Sequence, residues 1–285
     1  MVAFTTFHNY LEVLKPRETI LLGFIGMCST IIAAEGQAPP GTLLLATITI
    51  AIASGGANGI TNYLDRKFDA CMSRTRGRVL PTQRIHPPEK ALPWIVGWII
   101  AGLILAWVLH PLAFVADLIG TVAAVVYRKR AICVFPQGAV ASCAPVLMGW
   151  FAISDTINWE LGFLCLLITT WLPLHVWSVM VSHRDDYLKA GLSFFPMNVP
   201  VKFATNILLL FAFILNAVAI GLYFVAHLGL LYLLAALVLG LMMLYSSIRL
   251  AASSIPSQDA WRLYKLSSFP YLGLIFLAIV LDIML

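Results

Sequence analysis

The sequence predicts an all-α, polytopic membrane protein: nine transmembrane helices, read as two four-helix halves plus one helix around a central cavity, in a single domain over residues 1–285. Three observations predict it. The chain is 61% hydrophobic and 11% charged, against about 25% charged in an average soluble domain. Apolar runs recur at the roughly 20 residues that cross a bilayer. The 18 Lys and Arg fall in alternate connections and at the helix ends beside them, the bias that orients helical membrane proteins. A net charge of +5 in such a chain speaks to orientation and not to nucleic acid.

Residues 1–18 read as a short interfacial segment ending in Lys15-Pro16-Arg17-Glu18, too mixed and polar for a cleavable signal peptide. Helices are then predicted over Thr19–Ala34, Thr42–Ile60, Leu92–Leu109, Leu112–Tyr127, Cys133–Ile153, Leu161–Ser182, Phe203–Val225, Leu230–Leu250 and Phe269–Leu285. The second carries Ala53-Ser54-Gly55-Gly56-Ala57, small residues that permit close helix contact. The fifth contains Pro136, Gly138 and Pro145, which predict a kink or break. AASSIPSQDAWRLYK, before the last helix, reads as an interfacial connection. With the N-terminus inside, the inner segments are 1–18, 61–91, 128–132, 183–202 and 249–268. The outer loops hold Glu35, Asp155 and Glu160 and no Lys or Arg. This predicts a cytoplasmic N-terminus and cytoplasmic charged loops, with the C-terminus outside. Cys28, Cys71, Cys133, Cys143 and Cys165 show no CxxC spacing and read as packing residues.

The most charged stretch is TNYLDRKFDACMSRTRGRVLP, Thr61 to Pro81. Asp65 and Asp69 are four apart, one turn apart on one helix face. Two hard carboxylates there suit Mg²⁺, which binds oxygen and often bridges carboxylates to a phosphate group. Arg66, Lys67, Arg74, Arg76 and Arg78 surround them, and a guanidinium fork matches phosphate oxygens. The bland alternative is a solvated loop with ordinary i,i+4 charge pairing. A second cluster, Asp185 and Asp186 with His183, Arg184 and Lys189, follows the sixth predicted helix on the same face. Two acidic clusters on one side of the membrane can hold two ions around one diphosphate.

Other ionisable residues have two readings. Arg128-Lys129-Arg130 suits an orientation-setting helix end, and one of its cations is within reach of a diphosphate. His175 and Asp117 lie within predicted spans, where an ionisable group is a functional candidate by default; each can equally satisfy itself against a neighbouring helix.

NYLDRKFDACMSRTRGRVLP and, from His175 to Pro196, HVWSVMVSHRDDYLKAGLSFFP resemble the two motifs of the UbiA-type intramembrane prenyltransferases, and the second is most similar to the haem-farnesylating branch. YRKR followed by APVLMGW is a looser match. Thr61 stands where the family usually has its first Asn, leaving Asn62 as the matching polar residue, and CVFPQGAVASC departs from the haem branch's Asn and Gly pattern. The resemblance implies a Mg²⁺-dependent prenyltransferase. Asp65 and Asp69 with Asn62 would serve one metal, Asp185 and Asp186 the other, and Arg74, Arg78, Lys129 and Arg130 would neutralise the diphosphate. It implies farnesyl diphosphate and protohaem IX as substrates, the electrophile adding to a haem vinyl group and water completing the side chain. His175 would orient haem. The lipid bilayer is the implied setting, with haem A synthase or terminal oxidase as assembly partners. Quinone-precursor, chlorophyll-type or lipid acceptors form the alternative within the enzyme class. Outside it stand a transporter of an amphipathic anion and a non-catalytic assembly factor.

Overall fold

The computed structural model describes residues 2–126 and 134–285, with side chains from residue 7 onward in the first of these stretches. The helices are α1 (Val2–Val13), α2 (Pro16–Ala33), α3 (Pro40–Cys71), α4 (Leu92–Leu109), α5 (Pro111–Val125), α6 (Gln137–Phe151), α7 (Trp159–Ser182), α8 (Arg184–Lys189), α9 (Val201–Val225), α10 (Leu230–Ala252), α11 (Pro256–Leu266) and α12 (Leu272–Met284). There is no strand among the described residues. Proline opens α2, α3, α5 and α11 at their first turn, where its missing N–H costs nothing.

Among the described residues, seven helical spans are long and apolar enough to cross a bilayer, the last running through α11 and α12 as Pro256–Met284. This does not confirm the nine spans predicted. α5 and α6 have 15 residues each, roughly 22 Å of helix, short of a hydrocarbon core of about 30 Å. The fifth predicted helix starts late because Pro136 and the turn before it use up its inner end. The second runs well past its predicted end. α3 has 32 residues, roughly 48 Å, so its charged last turns project beyond the apolar run.

Helices that follow one another pack together, and the ring closes where α2 meets α6 and α12. Glycines set the closest approaches. A Cβ on Gly56 would lie 2.8 Å from the backbone nitrogen of Ile99, and one on Gly102 2.8 Å from the Cα of Ala53, so α3 and α4 meet backbone to backbone, as the small-residue run predicts. On the other side, a Cβ on Gly149 would overlap the Gly26 carbonyl, and Ser29 Oγ donates to the Val146 carbonyl at 2.7 Å. These contacts weld α2 to α6.

The bundle has two unlike ends. At one, α1, the loop after α3, α8 and the α10–α11 connection meet through polar contacts. Arg84 makes a two-pronged ion pair with Glu12, at 2.7 and 2.8 Å. Asp259 takes Arg249 at 3.0 Å and Arg262 at 2.9 Å. At the other end, Asp282 accepts from the backbone N–H groups of Gly229 and, at 3.0 Å, Tyr232, capping the exposed start of α10 with a carboxylate. His110 and Asp155 pair there at 3.0 Å. Every described Lys and Arg belongs to the first end.

Candidate active site

Asn62, Asp65 and Asp69 lie on one face of the projecting end of α3, and all three are buried. Asn62 Nδ2 donates to the Val13 carbonyl at 3.0 Å, which fixes the amide and leaves Oδ1 enclosed without a hydrogen-bond partner. Beyond Cys71 the chain turns sharply: Thr75 Oγ1 donates to the Asp69 carbonyl at 3.0 Å, and Thr75 and Arg76 donate back to the Met72 carbonyl at 3.1 and 2.9 Å. That turn returns Arg78 to Asp69, Nη1 to Oδ2 at 2.8 Å. Arg74 and Arg76 stay exposed beside it.

The second cluster arrives on α8. Asp185 is exposed and Asp186 half-buried. Asp186 Oδ2 accepts from the backbone N–H of Ser73 at 2.9 Å and also from the Ser73 hydroxyl. The hydroxyl above all, helped by that N–H and by the charges of His183 and Lys189, holds the Asp186 carboxyl below the usual carboxylate range against the opposing effect of burial. The two predicted clusters are therefore neighbours, joined through the loop of the first. Lys189 is exposed at the end of α8. Arg184, predicted among the substrate cations, is committed elsewhere: its guanidinium donates to the carbonyls of Pro196, Met197 and Val199 at 2.8, 2.7 and 2.9 Å, closing the loop between α8 and α9. Lys129 and Arg130 lie outside the described residues.

Beneath the acids is a chamber of about 380 Å³ between α2, α3, α5, α6 and α7, roofed by Tyr187 and Phe194. Thr61, Asn58 and Ser54 line it and continue the Asp65 stripe down α3. Small residues of α5 and α6, among them Gly120, Ala124, Gly138 and Ala141, leave its space open. Gln137 and Met148 bound the α6 wall, roughly 16 Å apart along the helix. The chamber is lined from the α2, α3, α5, α6 and α7 side of the bundle, with no lining residue from α9, α10 or α12.

Two intramembrane residues separate here. Asp117 is buried, lines the chamber and accepts from Thr121 Oγ1 at 3.2 Å. His175 faces the other way. Leu172, Val176 and Met180 carry the chamber face of α7, whereas the His175 ring stacks on Trp171 at 4.8 Å and against Tyr264 at 4.7 Å, with Nδ1 3.1 Å from Ser267 Oγ. It fastens α7 to α11. Lys15 lines the chamber mouth, its Nζ donating to Thr61 Oγ1 at 3.4 Å. Sequence reading passed over Lys15, because a lysine before a membrane helix reads as a snorkelling anchor. Ser73 gives no sequence signal, since its partner is 113 residues away.

Among the described residues, no three His, Cys, Asp or Glu side chains converge on one point. A cation would thus have two carboxylates at most from either cluster, with the balance from an amide oxygen and the substrate. That is the habit of Mg²⁺, which takes one or two carboxylates and completes its shell with phosphate and water. The enclosed, unpartnered Oδ1 of Asn62 beside two buried carboxylates fits such an ion.

The profile of the UbiA prenyltransferase family matches residues 21–269. A protein named protoheme IX farnesyltransferase from Desulforudis audaxviator is 34% identical over 284 residues, 97% of this chain and 88% of that protein. Among solved structures, a digeranylgeranylglyceryl phosphate synthase superposes with a TM-score of 0.78 at 17% identity, over 98% of this chain and 99% of that one. A UbiA homologue from Archaeoglobus fulgidus, bound to GPP and Mg²⁺, superposes at 0.63 and 16% identity, over 95% and 99% of the two chains.

Proposed function

Since the chain belongs to the UbiA prenyltransferase family, we propose that it transfers the farnesyl group of farnesyl diphosphate, with Mg²⁺, to a vinyl group of protohaem IX in the membrane. One observation carries this reading: the stripe of α3 that bears Asp69, Asp65 and Asn62 continues into the wall of the chamber through Thr61, Asn58 and Ser54. A diphosphate at the acids thereby has its hydrocarbon chain beneath it. The named relative supports protohaem as acceptor, and the Mg²⁺-bound homologue supports divalent metal use.

Asp65 and Asp69 with Asn62 would hold one ion, and Asp185 and Asp186 the other. Bound there, Mg²⁺ neutralises charge on the departing diphosphate. Arg74 and Arg78 offer guanidinium forks to its outer oxygens. The C–O bond to diphosphate breaks and the allylic carbon bonds to the terminal vinyl carbon. Water then adds at the vinyl carbon attached to the macrocycle and gives up a proton, leaving a hydroxyl. Until that addition the cation needs a dry site. Tyr187 and Phe194 line the chamber, where aromatic rings can attract a cation, and apolar residues such as Leu22, Leu172, Val176 and Met148 line part of its wall, where they would limit water around the farnesyl cation. The cation-rich end of the bundle faces the cytoplasm in this reading.

The test is an assay of purified protein in detergent with farnesyl diphosphate, Mg²⁺ and protohaem, followed by product mass, with EDTA and a quinone-precursor acceptor in parallel. A Mg²⁺-dependent hydroxyfarnesyl gain on haem is expected. Prenylation of the quinone precursor alone would overturn the haem acceptor and keep the transfer reaction. Neither product from intact protein would overturn both.

A further inference from the structure

Ser73 lies just past the end of α3, exposed, on the loop that follows the first acidic pair, yet both of its donors serve the second. Its N–H and its hydroxyl meet the same oxygen, Oδ2 of Asp186. Two donors occupy that oxygen's two lone pairs, fix the plane of the carboxylate and leave Oδ1 as the acceptor that remains open. Ser73 is itself held. Met72 before it and Thr75 after it are buried, the Thr75 hydroxyl is bonded to the Asp69 carbonyl at 3.0 Å, and the turn closes on the Met72 carbonyl. From the other side, the three carbonyls on Arg184 anchor the start of α8. A rigid turn built on Asp69 thus reaches across and sets the orientation of Asp186.

We propose that Ser73 is a positioning residue for the second cation site, tying Asp186 to the turn behind Asp65 and Asp69 so that it presents a single oxygen to a divalent cation at a fixed distance from the first pair. This rests on the diphosphate-transfer reading. Partners of this kind orient a metal-binding carboxylate, and removing them typically costs about 10–100-fold in affinity. The arrangement also couples the two sites. A cation on Asp69 steadies the turn that carries Ser73, and by reciprocity a cation on Asp186 strengthens binding at the first pair.

The experiment is Mn²⁺ binding to the full chain in detergent with inorganic pyrophosphate, counted by EPR, on wild type, S73A, S73T and D65N. Two bound ions are expected for wild type. S73A should weaken the second by about tenfold or more, while S73T, which keeps the hydroxyl, restores it. In the assay, S73A should raise the Mg²⁺ needed for half-maximal rate by about the same factor, with kcat at saturating Mg²⁺ within roughly threefold of wild type. Wild-type affinity at both sites in S73A, or equal weakening of both with a lowered melting temperature, would overturn the assignment. If D65N weakens Mn²⁺ binding and S73A does not, the positioning role fails and the transfer reading stands. If D65N binds Mn²⁺ as wild type does, the transfer reading itself fails and takes the positioning role with it.

Discussion

Asp69 and Arg78 stand 2.8 Å apart, although the sequence assigns one to a metal and the other to a phosphate. A buried carboxylate needs a counter-charge, and the Arg78 guanidinium supplies one; in the proposed reaction a cation held by Asp69 would take over that part and leave Arg78 for the diphosphate. Asp69→Asn keeps the shape and removes the charge. It should lower turnover by at least about 10³-fold while the melting temperature in detergent stays within a few degrees, and wild-type turnover would remove Asp69 from the chemistry. Arg184→Ala should behave in the opposite way. Three carbonyls lose their donor, at a cost of roughly 2 kcal/mol, so limited proteolysis should open the 183–200 loop while the KM for the diphosphate moves little. The placement of Asp65 and Asp69 on one helix face was legible because their spacing of four fits one turn. Arg184 and Ser73 were not, because nothing local tells a cation facing phosphate from one facing three carbonyls, or shows that a serine meets an aspartate on a distant loop.

At the scale of elements, α6 carries the largest consequences. Its chamber wall runs roughly 16 Å down to Met148, against roughly 13 Å for an extended C15 chain at about 1.2 Å per backbone bond. In the proposed reaction Met148 would form the floor under a farnesyl tail. Met148→Ala should raise the rate with a C20 diphosphate relative to C15 by about tenfold, and an unchanged preference would place the floor elsewhere. One position on, Gly149 has no room for a Cβ against the Gly26 carbonyl. Gly149→Ala should cost about 1–3 kcal/mol, read as a lowered melting temperature, because α2 and α6 must part. The small-residue run in α3 announced its close contact with α4 in the sequence. The α2–α6 contact did not announce itself, since single glycines are common in membrane helices. Apolar composition marked α5 and α6 correctly as helices, but at 15 residues each they are shorter than the spans read from hydropathy.

The whole molecule is polarised. All described cations gather at one end, and carboxylates that cap or pair are left at the other. This asymmetry was the most legible feature of all, because a count of Lys and Arg per loop requires no knowledge of packing. Single cysteines introduced at Gly77 and at Asp155 should label from opposite sides of oriented vesicles, Gly77 from the cytoplasmic side; labelling from the same side would break the topology.

A chamber with its polar mouth at the charged rim and its tail-binding depth among the helices has a consequence for how the two products leave. Diphosphate, fully ionic, would then leave into water past the exposed Arg74 and Arg76. In the proposed reaction the prenylated acceptor gains fifteen carbons, worth roughly 12 kcal/mol of bilayer affinity at about 0.8 kcal/mol per buried CH₂, which would draw it sideways into lipid. The two products of a single turnover would thus part into different phases, water and lipid.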